Sequence, residues 1–247
     1  MIRCLCRKDN DSRLYLRKLK FYRSEIVRIV KVGFPAGLTG TVFSLSNMII
    51  QSSVNSFGST VIAGNVAACN LSDLVYISMN AFYHAAISFT GQNVGAGKPE
   101  RLWRIALGSA LLAGSVGILL GGLVNLFPHF FLSIYNTDPE VIAVGTVRLR
   151  WVTLPYFLCG IMEVGCGVVR GMGKSWLPMI VSTVGSCVSR LVWIYTLFAQ
   201  VRTLPMLYVS YPISWALTAA VHFLCAAVLI RRFKAKCAGL QSAGAGR

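Results

Sequence analysis

The sequence predicts an all-α integral membrane protein, a bundle of six transmembrane helices. Three observations carry that expectation: an apolar composition, six long apolar runs, and basic residues gathered in alternate connections between the runs. Of 247 residues, 55% are hydrophobic and 13% charged, with a mean hydropathy of +0.63. That balance leaves too little polar surface for a chain dissolved in water. A spanning helix needs about 20 mostly apolar residues to cross a hydrocarbon core roughly 30 Å thick. Residues 32–57, 60–89, 102–127, 141–169, 176–198 and 206–230 each satisfy this length.

Each boundary between runs has its own punctuation. Phe57-Gly58-Ser59-Thr60 reads as a tight turn, residues 91–99 as a glycine-rich loop, 135–139 as a break, and 170–175 as a polar turn. Connections this short leave no room for a soluble domain. The expected organisation is a basic leader or interfacial helix over 1–31, a six-helix membrane lobe over 32–230, and a tail over 231–247.

A net charge of +16 would suit a nucleic-acid binder, so the placement of the charge decides. Ten basic residues lie in the leader, and others follow at Lys98, Arg101, Arg104, Arg170, Lys174, Arg231, Arg232, Lys234 and Lys236. The connections on the opposite side contribute mainly Arg202. Cytoplasmic loops of membrane proteins carry the excess of Lys and Arg, so both termini are expected in the cytoplasm, with the protein in the plasma (inner) membrane. Membrane lipid, not nucleic acid, is then the expected surrounding partner. Within the leader, Tyr15, Leu19, Tyr22, Ile26 and Ile29 recur at helical spacing away from Arg17, Lys18 and Arg23, a pattern that suits an anionic leaflet.

Several chemistries are not expected. Cys69, Cys159, Cys166, Cys187 and Cys225 fall inside apolar runs, where a free cysteine behaves as a small hydrophobe. The pair Cys4 and Cys6 has no matching pair or nearby histidine, so neither a metal nor another cofactor is expected. Gly173-Lys174-Ser175 ends like a phosphate-binding loop, but Val168 stands where its first glycine belongs. Nothing points to an enzyme.

The informative residues are polar groups inside the runs, because an acid at a helix centre costs about 2.5 to 3.5 kcal/mol on insertion scales. Asp73 and Glu163 are the two such acids and are the candidates for binding a coupling cation or proton. Around them the runs carry polar stripes. Cys69, Tyr76, Asn80 and His84 recur around Asp73 at helical steps; Asn47, Gln51 and Asn55 stack on the first run; Tyr156, Cys159, Gly167 and Arg170 share a face with Glu163. Asn47, Gln51, Asn55, Tyr76, Asn80 and Tyr156 are therefore candidates to line a hydrophilic cavity, although amides in spans also serve only to join helices. Tyr76, Phe82, Tyr83 and Tyr156 are able to stack on flat cations or simply to pack. His84, His129 and His222 read as structural. Arg190 is the cation deep in the fifth run. At about 1.5 Å per residue it lies roughly 24 Å beyond Lys174, and Asp73 lies roughly 27 Å from Gly91. Matching depth makes Arg190 the candidate ion-pair partner of Asp73 and leaves Glu163 the freer acceptor.

Three stretches resemble the multidrug and toxic compound extrusion (MATE) family. Gly33-Phe34-Pro35-Ala36-Gly37-Leu38 is similar to the opening of its seventh helix. Gly91-Gln92-Asn93-Val94-Gly95-Ala96-Gly97-Lys98-Pro99-Glu100-Arg101 is similar to the loop after its eighth, and Val169-Arg170-Gly171-Met172-Gly173 to the end of its tenth. The resemblance implies the C-terminal lobe of a twelve-helix antiporter that exports amphipathic cationic compounds in exchange for Na+ or H+. A missing N-terminal half or a second copy would complete it, since in such folds the substrate passes between two lobes. Where some members carry an acid in the first helix of this half, Thr41, Val42, Phe43 and Ser44 stand here. A lipid-linked saccharide flippase of related architecture, or a truncated fragment inactive alone, are the alternatives.

Overall fold

In a hydrocarbon medium backbone N–H and C=O groups have no water to bond, so long apolar runs satisfy them internally as helices. The computed structural model describes residues 20–245. It contains α1 (Arg23–Asn55), α2 (Ser59–Gly95), α3 (Pro99–Leu126), a short α4 (Pro128–Ser133), α5 (Pro139–Gly171), α6 (Trp176–Phe198) and α7 (Leu204–Ala245). Six of these, all but α4, are long and apolar enough to cross a membrane. The expected spans are recovered, most of them starting earlier than expected, and the molecule is a multi-pass membrane protein.

The helix starts follow from local chemistry. Pro99, Pro128 and Pro139 open α3, α4 and α5, where the missing N–H costs nothing and φ is already helical. Asp138 caps α5 by accepting from the Glu140 amide at 2.9 Å. Gly58, Gly97 and Gly173 take positive φ in the connections, a region that side-chain-bearing residues rarely enter. The glycine-rich loop is shorter than the sequence suggests. Residues 91–95 remain helical, and the turn is confined to Ala96, Gly97 and Lys98. The first 19 residues, with Tyr15, Leu19 and most of the leader's charge, lie outside the described residues; from Arg23 onward the chain runs without a break into the span.

Two spans are irregular. Inside α5 a wide, π-type turn over Leu149–Thr153 runs into a tight 3-10 turn over Leu154–Tyr156, where Pro155 has no N–H to return to the preceding turn. In α6 wide turns occupy Thr183–Val188 and Ile194–Phe198. Each wide turn re-aims the side chains that follow it.

The helices α2, α3 and α5 form the closest-packed unit. A Cβ on Gly64 would stand 2.6 Å from the Val141 carbonyl oxygen, and one on Gly121 2.6 Å from that of Thr153. Such backbone approach is how helices associate in lipid, where burial of apolar surface gives no driving force. Ala86, Ala106, Ala110, Ala113, Val164 and Ala226 fill the core near the Lys98 turn. Toward the other end Ile50, Met162, Phe198, Tyr208 and Trp215 form a larger, more aromatic cluster from α1, α5, α6 and α7. The α1 helix lies at the margin, against α2 and α6, with most of its apolar residues exposed.

Candidate functional site

Facing stripes of α1, α2, α5, α6 and α7 enclose a cavity of about 400 Å³. Helical spacing explains why the same residues recur on each wall. Asp73, Tyr76, Asn80 and Tyr83 descend one face of α2, while Tyr156, Cys159, Glu163, Cys166 and Arg170 descend one face of α5. From α1 come Ala36, Thr39, Gly40, Phe43 and Asn47; from α6, Ser182 and Arg190; from α7, Tyr211 and Trp215. The structure thus brings both acids expected from the sequence to one chamber, together with Asn47, Tyr76, Asn80, Tyr156 and Arg190. Among the described residues neither Asp73 nor Glu163 has an ion pair or a side-chain hydrogen bond.

Two of the cavity candidates lie elsewhere. Gln51 donates to Asn55 at 2.9 Å and accepts from Asn65 at 2.9 Å, so both amides of α1 point past the cavity toward a separate polar cluster. Their spacing is right for a stripe, but one stripe serves two sites as the helix advances.

The expected Asp73–Arg190 pair does not form. Arg190, 2% exposed, donates from Nε to Ser214 Oγ at 2.9 Å and lies over the rings of Tyr211 and Trp215 at 4.4 and 5.6 Å. Among the described residues its Nη2 has no hydrogen-bond partner. Matching depth along two helices fixes height but not direction, and the wide turn before Arg190 aims it at α7.

Arg170 closes the chamber at the end bearing the Lys98 turn. Its Nη1 donates to Tyr83 Oη at 2.5 Å and its Nη2 to Thr39 Oγ1 at 3.1 Å, which joins α5 to α2 and α1. Thr39 in turn donates to the Pro35 carbonyl at 2.7 Å. Aromatic rings line the opposite side in a row: Tyr76 to Tyr156 is 6.3 Å, Tyr156 to Trp215 5.0 Å and Trp215 to Tyr211 5.6 Å between centroids. Phe82 is absent from this row and packs against the alanine-rich core instead. Among the histidines, His222 is buried and shares a 3.0 Å hydrogen bond with Ser182, just behind the cavity wall. His84 stands exposed with its ring against Tyr83, and His129 is exposed.

Sequence reasoning missed Arg148 and Asn65. Arg148 is buried in α5 and among the described residues has no carboxylate partner; it donates to Asn65 Oδ1 at 2.9 Å and lies over the rings of Tyr208 and Tyr211. Attention to acids alone passed over it, yet a second arginine within an apolar run was visible as a signal. Among the described residues no cluster of His, Cys, Asp and Glu has the makings of a metal site.

Comparison with known proteins settles the family. The MatE family model matches residues 35–196, well over half the sequence. The chain belongs to the MatE family. Its relatives include "Probable multidrug resistance protein YpnP" of Bacillus subtilis (28% identical over 166 residues, 67% of this chain and 37% of YpnP). "Probable multidrug resistance protein NorM" of Thermotoga maritima is 24% identical over 163 residues, 66% of this chain and 35% of NorM. Among solved structures, one described as "Outward-facing conformation of a multidrug resistance MATE family transporter of the MOP superfamily" superposes with a TM-score of 0.80 at 20% identity, over 92% of this chain and 51% of that one. The match thus takes in little more than a third of these MatE relatives and about half of the solved transporter. MatE proteins are transporters, not enzymes, and the fold here is the fold of one such half.

Proposed function

We propose that this chain is one six-helix lobe of a cation-coupled multidrug exporter, exchanging Na+ or H+ for amphipathic cationic compounds. The observation that carries the reading is the pair of unpaired carboxylates, Asp73 and Glu163, on one aromatic-walled cavity. A carboxylate kept in a membrane interior without a protein partner is a ready acceptor for a proton, a metal cation or an organic cation. Glu163, half-buried on α5, serves as the coupling acid, loaded from one side of the membrane and unloaded to the other as access alternates. Asp73 and the rings of Tyr76 and Tyr156 hold the organic cation. The names of the curated relatives, multidrug resistance proteins, support the substrate class. The match to half of a solved transporter supports a complementary lobe, from an N-terminal half or a second copy. The basic residues at one end support a plasma membrane orientation with both termini in the cytoplasm.

The test is efflux of ethidium from cells that express the chain with a complementary lobe. Efflux should collapse when a protonophore or a sodium ionophore removes the driving gradient, and whichever agent acts identifies the ion. Glu163→Gln should abolish it. Ethidium export that survives both agents, or survives Glu163→Gln, refutes the reading.

A further inference from the structure

On the outside of α6 and α7, away from the chamber, Ile180 and Val184 face Leu217 and Val221 across a groove of about 290 Å³, with Gly185 and Thr218 between them. The wide turn over Thr183–Val188 seats Gly185 against α7, where a Cβ would stand 2.5 Å from Thr218 Oγ1. The groove exists because no side chain fits at that point. The hydroxyls beneath it are satisfied inward: Ser186 bonds Thr218 at 3.0 Å, and Thr218 donates to the Ser214 carbonyl at 2.6 Å. What faces outward is hydrocarbon, since Ile180, Val184, Leu217 and Val221 are exposed. Such a groove offers nothing to a polar ligand. It is also too small to admit a helix, which is about 10 to 12 Å across with its side chains.

Two cations mark one end of the groove. Lys174 lies in the turn that leads into α6, and Arg232 follows Val221, Cys225 and Val228 at helical steps on α7. Both are exposed. Leu177 and Leu229 pack on the same alanine-rich core, and each is three residues from one of these cations, so the two charges stand at one level. Lys174 is eleven residues from Gly185, and Arg232 eleven from Val221, a climb of roughly 16 Å in each case. Half of a hydrocarbon core roughly 30 Å thick is about the same distance, the depth reached by the tails of one leaflet. Basic side chains beside a cleft between spans attract lipid phosphates. We propose that the α6–α7 groove holds an acyl chain of an anionic phospholipid whose phosphate rests on Lys174 and Arg232. A ridge from a second copy would use the groove and leave the cations idle, whereas this lipid uses both. The site is separate from the chamber and does not depend on what the chamber carries.

The experiment titrates the purified full chain with dioleoyl phosphatidylglycerol or dioleoyl phosphatidylcholine and reads the Kd of the first bound lipid by native mass spectrometry. The two lipids share their tails, so their ratio isolates the headgroup. Phosphatidylglycerol should bind about tenfold more tightly. Lys174→Ser with Arg232→Ser should bring the ratio to about one. Lys98→Ser with Arg101→Ser, which removes as much charge elsewhere at the same end, should leave it as in the parent. Val221→Phe fills the groove from an exposed position and should weaken the first phosphatidylglycerol about tenfold. If that variant is not monodisperse, Leu217→Phe replaces it with the same expectation. Dihexanoyl phosphatidylglycerol, which keeps the phosphate but has tails too short to reach Gly185, should bind at least about tenfold more weakly than the dioleoyl lipid. A parent ratio at or below one, a ratio that the Lys174 and Arg232 changes do not move, or equal binding of the short lipid overturns the proposal. So does a groove-filling variant that binds phosphatidylglycerol as the parent does; if that variant also turns a dimer into a monomer, the occupant is a second copy.

Discussion

Arg148 on α5 donates to Asn65 on α2 at 2.9 Å, a contact between residues 83 positions apart in the chain and buried in the bundle. Asn65 is the hub, because it also accepts from Tyr208 at 3.1 Å and donates to Gln51 at 2.9 Å. Asn65→Ala should therefore destabilise the bundle by about 2 to 3 kcal/mol, since it leaves a buried guanidinium short of an acceptor. Unfolding in mixed micelles measures this. Adding Arg148→Met to Asn65→Ala should recover part of the loss, and strict additivity of the two changes would show that the contact carries no coupling.

Gly64 and Gly122 make a matched comparison. A Cβ at Gly64 meets the Val141 carbonyl at 2.6 Å and the Gly145 amide nitrogen at 3.0 Å, whereas one at Gly122 meets nothing within 4 Å. Gly64→Ala should cost about 1 to 3 kcal/mol through backbone displacement. Gly122→Ala should be neutral or stabilising by up to about 1 kcal/mol from helix propensity. Thermal unfolding of the two variants side by side tests the close approach of α2 and α5.

Thr39 holds Arg170 with one lone pair and closes onto Pro35 with its proton. Thr39→Val removes both bonds while keeping the shape. Amide hydrogen exchange over residues 31–40 should then quicken by about tenfold, the size expected for one lost hydrogen bond. Thr196→Val, at an exposed threonine that bonds back to Val192, should leave that segment unchanged. Equal exchange in the Thr39 variant would remove the clasp from consideration.

Membrane orientation is open to direct measurement. In a cysteine-free background, Arg202→Cys should react with an impermeant maleimide in intact cells, and Lys174→Cys only after permeabilisation. The reverse pattern would invert the topology and the side from which each acid is loaded.

The number, type and approximate limits of the helices were legible because run length and turn residues report them directly. The acids were legible as well, since insertion cost marks Asp73 and Glu163 wherever they point. What the sequence hid was direction about each helix axis. The Asp73–Arg190 pairing used depth alone, and the wide turn over Thr183–Val188, which no single residue type announces, sets the aim of Arg190 toward Ser214. Gln51 and Asn55 share the spacing of Asn47 yet leave the cavity, because their partner Asn65 stands on a neighbouring helix. Arg148 was hidden for a related reason: its counterparts are an amide and two tyrosines from distant segments, so nothing near it in sequence discloses how its charge is accommodated.

The marginal seat of α1 has a mechanical consequence. A Cβ added at Gly33, Gly37 or Gly40 would meet nothing within 4 Å beyond its own helix, Pro35 interrupts its ladder of bonds, and Thr39 and Asn47 still face the chamber. Among α2, α3 and α5, by contrast, a Cβ added at Gly64 or Gly121 would run into a neighbouring backbone oxygen at 2.6 Å. The chamber is thus bounded by a stiff frame on several sides and by one loosely hung panel, and its width is set by wherever that panel comes to rest.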